Sequence, residues 1–578
     1  MQNGNSVNGS EKQTDWNAVN WRRAHRLVRN LRQRIFRASK NGDLKKVASL
    51  QKLMLRSQSN VLVSVRRVTQ VNRGKHTAGV DGVVVKTPKA RGKLVDELSQ
   101  LTPWQSQPAR RVYIPKANGK LRPLGIPVIR DRCLQAMVKN ALEPFWEARF
   151  EGISYGFRPG RSCHDAISKI YLLAQPHKRK RWVVDADIKG AFDNISHDYL
   201  LQTIGQFPAR ELIKQWLKAG YLDGADFQTT EAGTPQGGVI SPLLANIALH
   251  GIEEALTVYK TLPNGKTVVA SEGIKRNTIG RTVGQLAVVR YADDFVVFCE
   301  TKEAAEQVIE TLRQWLQQRG LELSSEKTRI VHLTEGFDFL GFNVRLYATP
   351  QTTRTGWKLL IKPSRASVTK IREKLRKVWF SLNGQNAQAV VKSFKPIVRG
   401  WANYFRISVA SQTFHKLDNW MFKRAVRYAR RNHPKKPAYW MKERYFGALN
   451  PLYPKNSWVF GDKESGMHVL KFQWFKIERH ILVKETASPD DASLQAYWAL
   501  RNCKQSQDLK PSAARIAQKQ RGCCLRCGES LFNGEEFDLH YKVSKEAGGS
   551  DSYGNLELMH RSCHQQVHAT GKQRFACK

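Results

Sequence analysis

Two adjacent carboxylates, Asp293 and Asp294, sit in YADDFVVF (291–298) between apolar, β-forming neighbours. Successive strand residues point to opposite faces, so a strand alone could not aim both at one spot, whereas a tight turn at Ala292–Asp293 could. Burying adjacent negative charges is costly, and a divalent cation is their natural partner. A third carboxylate, Asp187, lies on the strand predicted in DADIKGAFDNI (185–195), which leads into a turn and a helix. One carboxylate from a strand and two from a neighbouring hairpin form an oxygen-only set suited to two Mg²⁺. Two such ions about 3.5–4 Å apart serve phosphoryl transfer.

A second constellation lies near the end. Of nine cysteines, Cys523, Cys524, Cys527 and Cys563 crowd into the last 60 residues. In a reducing compartment such clustering suggests metal rather than disulfide. Cys524-Leu-Arg-Cys527 and His560-Arg-Ser-Cys563 are two ligand pairs with the spacing of a tetrahedral structural Zn²⁺ site. Cys523 competes with Cys524, but the two-residue gap to Cys527 favours Cys524. A module this small needs such a staple.

The elements that must position these groups follow from patterning. From about 87 to 345, β-rich apolar runs alternate with helical patterns, the mark of an α+β or α/β body. WVVDADI (182–188) and LAVVRYADDFVVF (286–298) read as strands, and 302–319 as a helix with Gly320 at its C-cap. Residues 21–46 form a basic amphipathic helix with Leu27, Leu31 and Ile35 on its apolar side and ten basic residues against one acid. Between Lys358 and Arg444 stand 22 Lys+Arg and 3 Asp+Glu, with Trp379, Trp401, Tyr404, Phe405, Trp420 and Tyr428 interleaved. Cations there can follow phosphates while some aromatics stack on bases and others fill a core. Residues 446–515 read as a mixed linker containing Pro451, Pro454 and Pro489.

Charge narrows the partners. With 95 Lys+Arg against 49 Asp+Glu, the chain carries +46. Such a field says nothing about fold but favours polyphosphates, because basic side chains release counterions condensed on nucleic acid. No apolar run approaches the roughly 18 residues needed to span a bilayer. The segment Met1–Trp16 is polar and lacks the apolar core of a signal peptide. The expectation is an intracellular protein without a membrane partner.

Across nearly its whole length the sequence resembles reverse transcriptases of the group II intron class. The matching blocks stand in family order: RVYIPKANGKLRPLGIP (111–127), SYGFRPGRS (154–162), DADIKGAFDNI, GTPQGGVISPLLANIAL (233–249), YADDFVVF, LELSSEKT (321–328) and FDFLGF (337–342). VSVRRVTQVNRGKHTAGVDG (63–82) resembles the extra N-terminal block of these enzymes. The resemblance implies an α+β right-hand polymerase with fingers, palm and α-helical thumb, then a helical maturase and DNA-binding region and a small ββα zinc/HNH module. The expected divisions are 1–86 for a basic helical extension, 87–345 for fingers and palm, 346–445 for thumb and maturase domain X, 446–515 for a DNA-binding or linker region, and 516–578 for the zinc-stapled module.

It also implies roles. Asp187, Asp293 and Asp294 match the Mg²⁺-binding catalytic carboxylates, with Asp293 the more directly engaged of the pair and the Ile188 carbonyl a further ligand. Lys116 and Arg122 match residues that clamp the incoming deoxynucleoside triphosphate, with Lys327 a weaker candidate near triphosphate or primer. Phe192 matches the side chain under the sugar that excludes a 2′-hydroxyl, and Gln236 lies where the family braces the new base pair. SFKPIVRGWANYFR (393–406) resembles domain X, with Lys395, Arg399 and Arg406 for RNA phosphates and Trp401 and Tyr404 for stacking or core. EFDLHYKVSKEAGGSDSYGNLELMHRSCHQQVH (536–568) resembles an HNH nuclease holding one divalent metal: Asn555 matches its central Asn, His564 and His568 could ligate metal, and His540 matches the first of the usual histidine pair. Tyr541 stands where the second, the general base, is expected; with an ordinary pKa near 10 a tyrosine is a poor base at neutral pH. The implied function is an RNA-directed DNA polymerase and maturase that binds intron RNA, assists splicing and inserts the intron into target DNA by reverse splicing and target-primed reverse transcription. A free-standing reverse transcriptase and a splicing-only maturase remain as alternatives.

Overall fold

The computed structural model describes residues 13–100, 104–115, 119, 121–256, 259–261, 267–269, 286–350, 355–505, 509 and 511–576. Lys116, expected at the triphosphate, lies outside the described residues.

Three N-terminal helices, Trp21–Lys40, Leu44–Arg56 and Gln58–Arg66, form the base. Asn20 and Asp43 cap the first two by accepting from the backbone N–H groups of Arg23 and Lys46. The buried stripe of the first helix runs Ala24, Val28, Leu31, Ile35. Leu27, expected on that face, is 41% exposed: Ala24 and Val28 complete the three-and-four spacing, which turns Leu27 outward among the arginines.

The palm is an antiparallel four-stranded sheet in the order Arg329–His332, Trp182–Asp187, Asp294–Cys299, Ala287–Tyr291. Its apolar side packs with the helices Ser241–Ala248 and Lys302–Gln317 in one core with the N-terminal helices. A second sheet, ordered Leu121–Ile126, Ala109–Pro115, Tyr221–Asp223, Asp226–Gln228, forms the fingers. Residue 345 falls inside the strand Phe342–Ala348, which pairs with Trp357–Pro363, so the β-structure runs on past the expected boundary to Pro363.

Helices Arg365–Ser381, Ala387–Phe405, Ser411–Asn432 and Ala438–Tyr445 follow. Residues 446–505 are not a free linker. Short strands Phe446–Gly447, Val459–Asp462 and Met467–His468 form a sheet, and Phe472 and Val483 enter the thumb core. Arg32 of the first helix pairs with Asp490 at 2.7 Å. The last element group is ββα: strands Phe537–Tyr541 and Leu556–His560, antiparallel, then helix Arg561–Ala576. Among the described residues no helix is long and apolar enough to cross a membrane.

Candidate active site

The palm register sets Asp187 directly opposite Asp294. Asp293 sits one residue before, in the two-residue turn between the strands Ala287–Tyr291 and Asp294–Cys299. Ala292 makes that turn at φ +59°, a left-handed conformation that is strained for a residue with a Cβ. Three contacts hold it. Gly156, from the SYGFRPGRS block, lies so close that a Cβ there would come within 2.3 Å of the Ala292 nitrogen. Arg290, 1% exposed, donates from Nη1 to the Ala292 carbonyl (3.1 Å) and to Asn246 Oδ1 (3.2 Å). Asn246 in turn donates to the Gly156 carbonyl at 2.9 Å. Burial lowers the Arg290 pKa to about 10, opposed by Glu151, so the guanidinium remains charged at neutral pH.

The carboxylates are half-buried and close together. Burial and the neighbouring Asp187 raise the pKa of Asp293, with Arg122 and Lys327 opposing. Burial, Asp293 and Asp187 push Asp294 up to about 7. This crowding of negative groups is what a divalent cation relieves, and the three donors fit Mg²⁺. Lys327 Nζ lies 2.6 Å from Asp187 Oδ2. The backbone N–H of Ser324 donates to the Asp187 carbonyl (2.8 Å) and that of Lys189 to the Glu322 carbonyl (3.0 Å), bracketing the bridge Ile188–Leu323. In an antiparallel ladder the residue between two such bonds turns its own carbonyl the other way, so that of Ile188 faces the strand bearing Asp294.

The surrounding loops converge. Phe192 is half-buried, edge-on to Phe157 with centroids 6.1 Å apart. The Thr234 N–H donates to the Phe192 carbonyl at 2.6 Å. Gln236 Nε2 donates to both Asp193 carboxylate oxygens at 3.0 and 2.9 Å, and the Gly125 N–H of the fingers donates to the Gln236 carbonyl at 2.8 Å. Arg122 is exposed on the adjoining fingers strand.

In the helical region Lys395 and Arg399 are half-buried. Trp401 packs on Phe405, Phe414 and Phe472, and the Tyr404 hydroxyl donates to the Leu340 carbonyl; both are half-buried against the core. Arg406 pairs with Glu478 at 2.7 Å and helps hold the 476–478 segment. A basic surface that sequence reading did not single out lies between two helices: Arg372 and Arg424 both lie over the Trp420 ring, at 5.7 and 5.2 Å from its centroid.

In the ββα module the ligand atoms of Cys524, Cys527, His560 and Cys563 lie within 4.8 Å of one another, all four residues buried. His560 Nε2 lies 3.1 Å from the Ser530 carbonyl and Nδ1 3.3 Å from Cys527 Sγ. Donation to Ser530 leaves Nδ1 as the coordinating atom, and this set fits a tetrahedral Zn²⁺. His540, His564 and His568 converge separately within the same limit. Tyr541, next along its strand, points to the other face and donates to Asp551 Oδ1 at 2.7 Å. Asn555 staples the loop after that strand, donating to the Val543 and Ser550 carbonyls.

Comparison with known proteins fits this geometry. Family models match at residues 16–98 (N-terminal domain of reverse transcriptase), 114–344 (reverse transcriptase, RNA-dependent DNA polymerase), 368–446 (group II intron, maturase-specific domain) and 524–570 (HNH endonuclease). The chain is 41% identical over 313 residues to Protein YkfC of Escherichia coli (strain K12), covering 50% of this chain and 81% of that one. It is 35% identical over 335 residues to the group II intron-encoded protein LtrA of Lactococcus lactis subsp. cremoris, covering 49% of this chain and 55% of LtrA. The chain belongs to the group II intron-encoded reverse transcriptases. Maturase-like protein 1 of Euglena gracilis matches at 25% identity over 67% of this chain and 77% of its own length. In this reverse transcriptase, the structure brings together the three aspartates named from the sequence and the Cys524, Cys527, His560 and Cys563 set, and it places His540 beside His564 and His568, of which only the last two were expected as ligands. Sequence reading missed Arg290 and Asn246, although a charged residue inside the apolar strand AVVRY was the available signal.

Proposed function

We propose that this reverse transcriptase stays bound to its intron RNA after assisting splicing, and copies that RNA into target DNA after reverse splicing. The observation that carries the reading is the turn-borne Asp293–Asp294 pair facing Asp187, in a chain that continues into a maturase-specific domain. Bound at the three carboxylates, two Mg²⁺ would activate a DNA 3′-hydroxyl and neutralise the leaving pyrophosphate. Arg122, with Lys116, would hold the deoxynucleoside triphosphate; Phe192 would exclude ribose; Gln236, fixed by Asp193, would brace the nascent pair. Lys395 and Arg399 would meet RNA phosphates, together with the Arg372–Trp420–Arg424 surface, where cations and an aromatic face suit structured RNA. Trp401, Tyr404 and Arg406 would act there by shaping the domain.

Zn²⁺ would occupy the Cys524–Cys527–His560–Cys563 cluster and one divalent ion the His540–His564–His568 cluster. With Tyr541 facing away from those histidines, the module would bind target DNA and cleave it weakly. A nascent strand at a replication fork would then prime in place of a nicked bottom strand. The setting would be the bacterial cytoplasm, at the nucleoid.

Incubating the purified ribonucleoprotein with labelled target DNA tests this. Reverse-spliced product and cDNA, the cDNA alone lost on Asp293→Ala, are expected. Polymerisation on generic templates without any binding of intron RNA would instead indicate a free-standing reverse transcriptase.

A further inference from the structure

The ββα module is seated on the N-terminal helices, which nuclease chemistry by itself does not require. Trp21 and Val65 of those helices share one apolar core with Leu558, Met559 and the ligand Cys563. Arg66 reaches further, into the metal cluster itself. It is 2% exposed, and its Nη2 donates to Cys563 Sγ at 3.2 Å, Ser562 Oγ at 2.8 Å and Glu535 Oε2 at 3.3 Å. The Trp21 ring covers the guanidinium at 4.7 Å. A buried guanidinium is costly unless paired, and the three side-chain partners that Nη2 finds all belong to the module.

Charge and connectivity point the same way. A zinc centre with three thiolates and one neutral imidazole carries one net negative charge, so Arg66 stands as its counter-cation as well as its hydrogen-bond donor. The two ligand pairs come from separate segments, Cys527 and His560 being 33 residues apart. Bound by these four ligands, a metal would tie the segment carrying Cys524 and Cys527 to the helix that begins at Arg561. Ser562, Cys563 and Gln566 all lie on the first turns of that helix. Gln566 Nε2 adds bonds to the Asn17 and Val19 carbonyls at 2.7 and 3.0 Å. The helix start that the metal would fix is therefore the surface that meets the N-terminal residues.

We infer that zinc loading docks the ββα module onto the N-terminal helices, with Arg66 coupling the metal cluster to the polymerase body. The inference rests on the zinc assignment made above. Ser562 and Glu535 orient the guanidinium; Cys563 gives it a partner whose position depends on the metal.

The test uses the full chain, with zinc content measured by elemental analysis and backbone amide exchange followed over residues 58–71. Zinc-loaded protein should protect this segment. Chelation that removes one zinc per chain should raise its exchange about tenfold or more. Arg66→Met should keep the metal but release it to a chelator about tenfold faster, with exchange over 58–71 raised. Arg66→Lys should recover part of both. Gln566→Ala, which leaves the ligands and Arg66 intact, should loosen exchange around residues 16–21 while zinc release stays slow, which separates docking from a folding defect. Zinc loss with unchanged protection of 58–71 would overturn the coupling. Protein that folds and never holds zinc would instead overturn the metal assignment.

Discussion

Asp187 and Asp294 face each other across one antiparallel pair of the palm sheet, the last register position before the chain turns at Ala292–Asp293. The relationship crowds negative charge at the site, and the cost of that crowding in the absence of metal can be measured. Burial and its two neighbours raise the Asp294 pKa to about 7. A carboxyl raised in the folded state favours folding below its unfolded pKa and loses that contribution as pH rises through the folded value. In EDTA at pH 8, Asp294→Asn should therefore raise Tm relative to wild type, with the difference shrinking as pH falls below 7 and vanishing only towards pH 4. Thermal melts at pH 5, 6, 7 and 8 check this; a pH-independent difference would contradict the shift.

The same shift couples protons to Mg²⁺. Protonated Asp294 is a poor ligand, so the Mg²⁺ concentration for half-maximal primer extension should rise as pH drops below 7. Titrations of Mg²⁺ at pH 6 and pH 8 should differ by about tenfold for one unit of competing protonation. Asp293→Ala should abolish extension at both.

Arg290 touches no reacting group; it positions the turn. Arg290→Met should lower kcat by up to about 100-fold with little change in KM for the nucleotide, the signature of misplaced rather than missing groups. Asn246→Ala, which loses the bonds to both Arg290 and Gly156, should act in the same direction more mildly. A rise in KM with kcat intact would assign Arg290 to binding instead.

Phe192→Ala should admit ribonucleotides. The ratio of kcat/KM for dNTP over rNTP should fall by at least about tenfold, the scale set by one lost steric contact. Unchanged discrimination would return Phe192, already edge-on to Phe157, to a packing role.

At the ββα module, wild-type ribonucleoprotein should nick target DNA weakly, and Tyr541→His should raise nicking by less than about tenfold, because position 541 faces away from the His540–His564–His568 cluster and a histidine there could not serve as general base. Efficient wild-type nicking that disappears on His564→Ala would show that this site cleaves without a second histidine.

What could be read from sequence follows from range. YADD is a local signal: two strands and a turn within thirteen residues put the aspartates together. The CxxC and HxxC pairs are local too, and only their joining is long-range. Leu27 misled because helical spacing admits more than one stripe, and the choice is made by what the helix packs against. Trp401 and Tyr404 were undecidable for a similar reason: in a segment this basic, an aromatic reads alike whether it meets a base or, as here, Phe472 and the Leu340 carbonyl. The contacts of Arg66 left no local mark, since nothing in VSVRRVTQ announces a cysteine cluster.

That last contact spans 497 residues. A ribosome adding 5–20 residues per second needs roughly 25–100 seconds to travel from Arg66 to Cys563. Throughout that interval the nascent helices hold out Trp21, Val65 and a guanidinium whose partners have not yet been made. The order of synthesis thus sets a waiting period in which this apolar, basic face stays uncovered, and on the docking proposed above it would end only when the ββα module has emerged and taken up its metal.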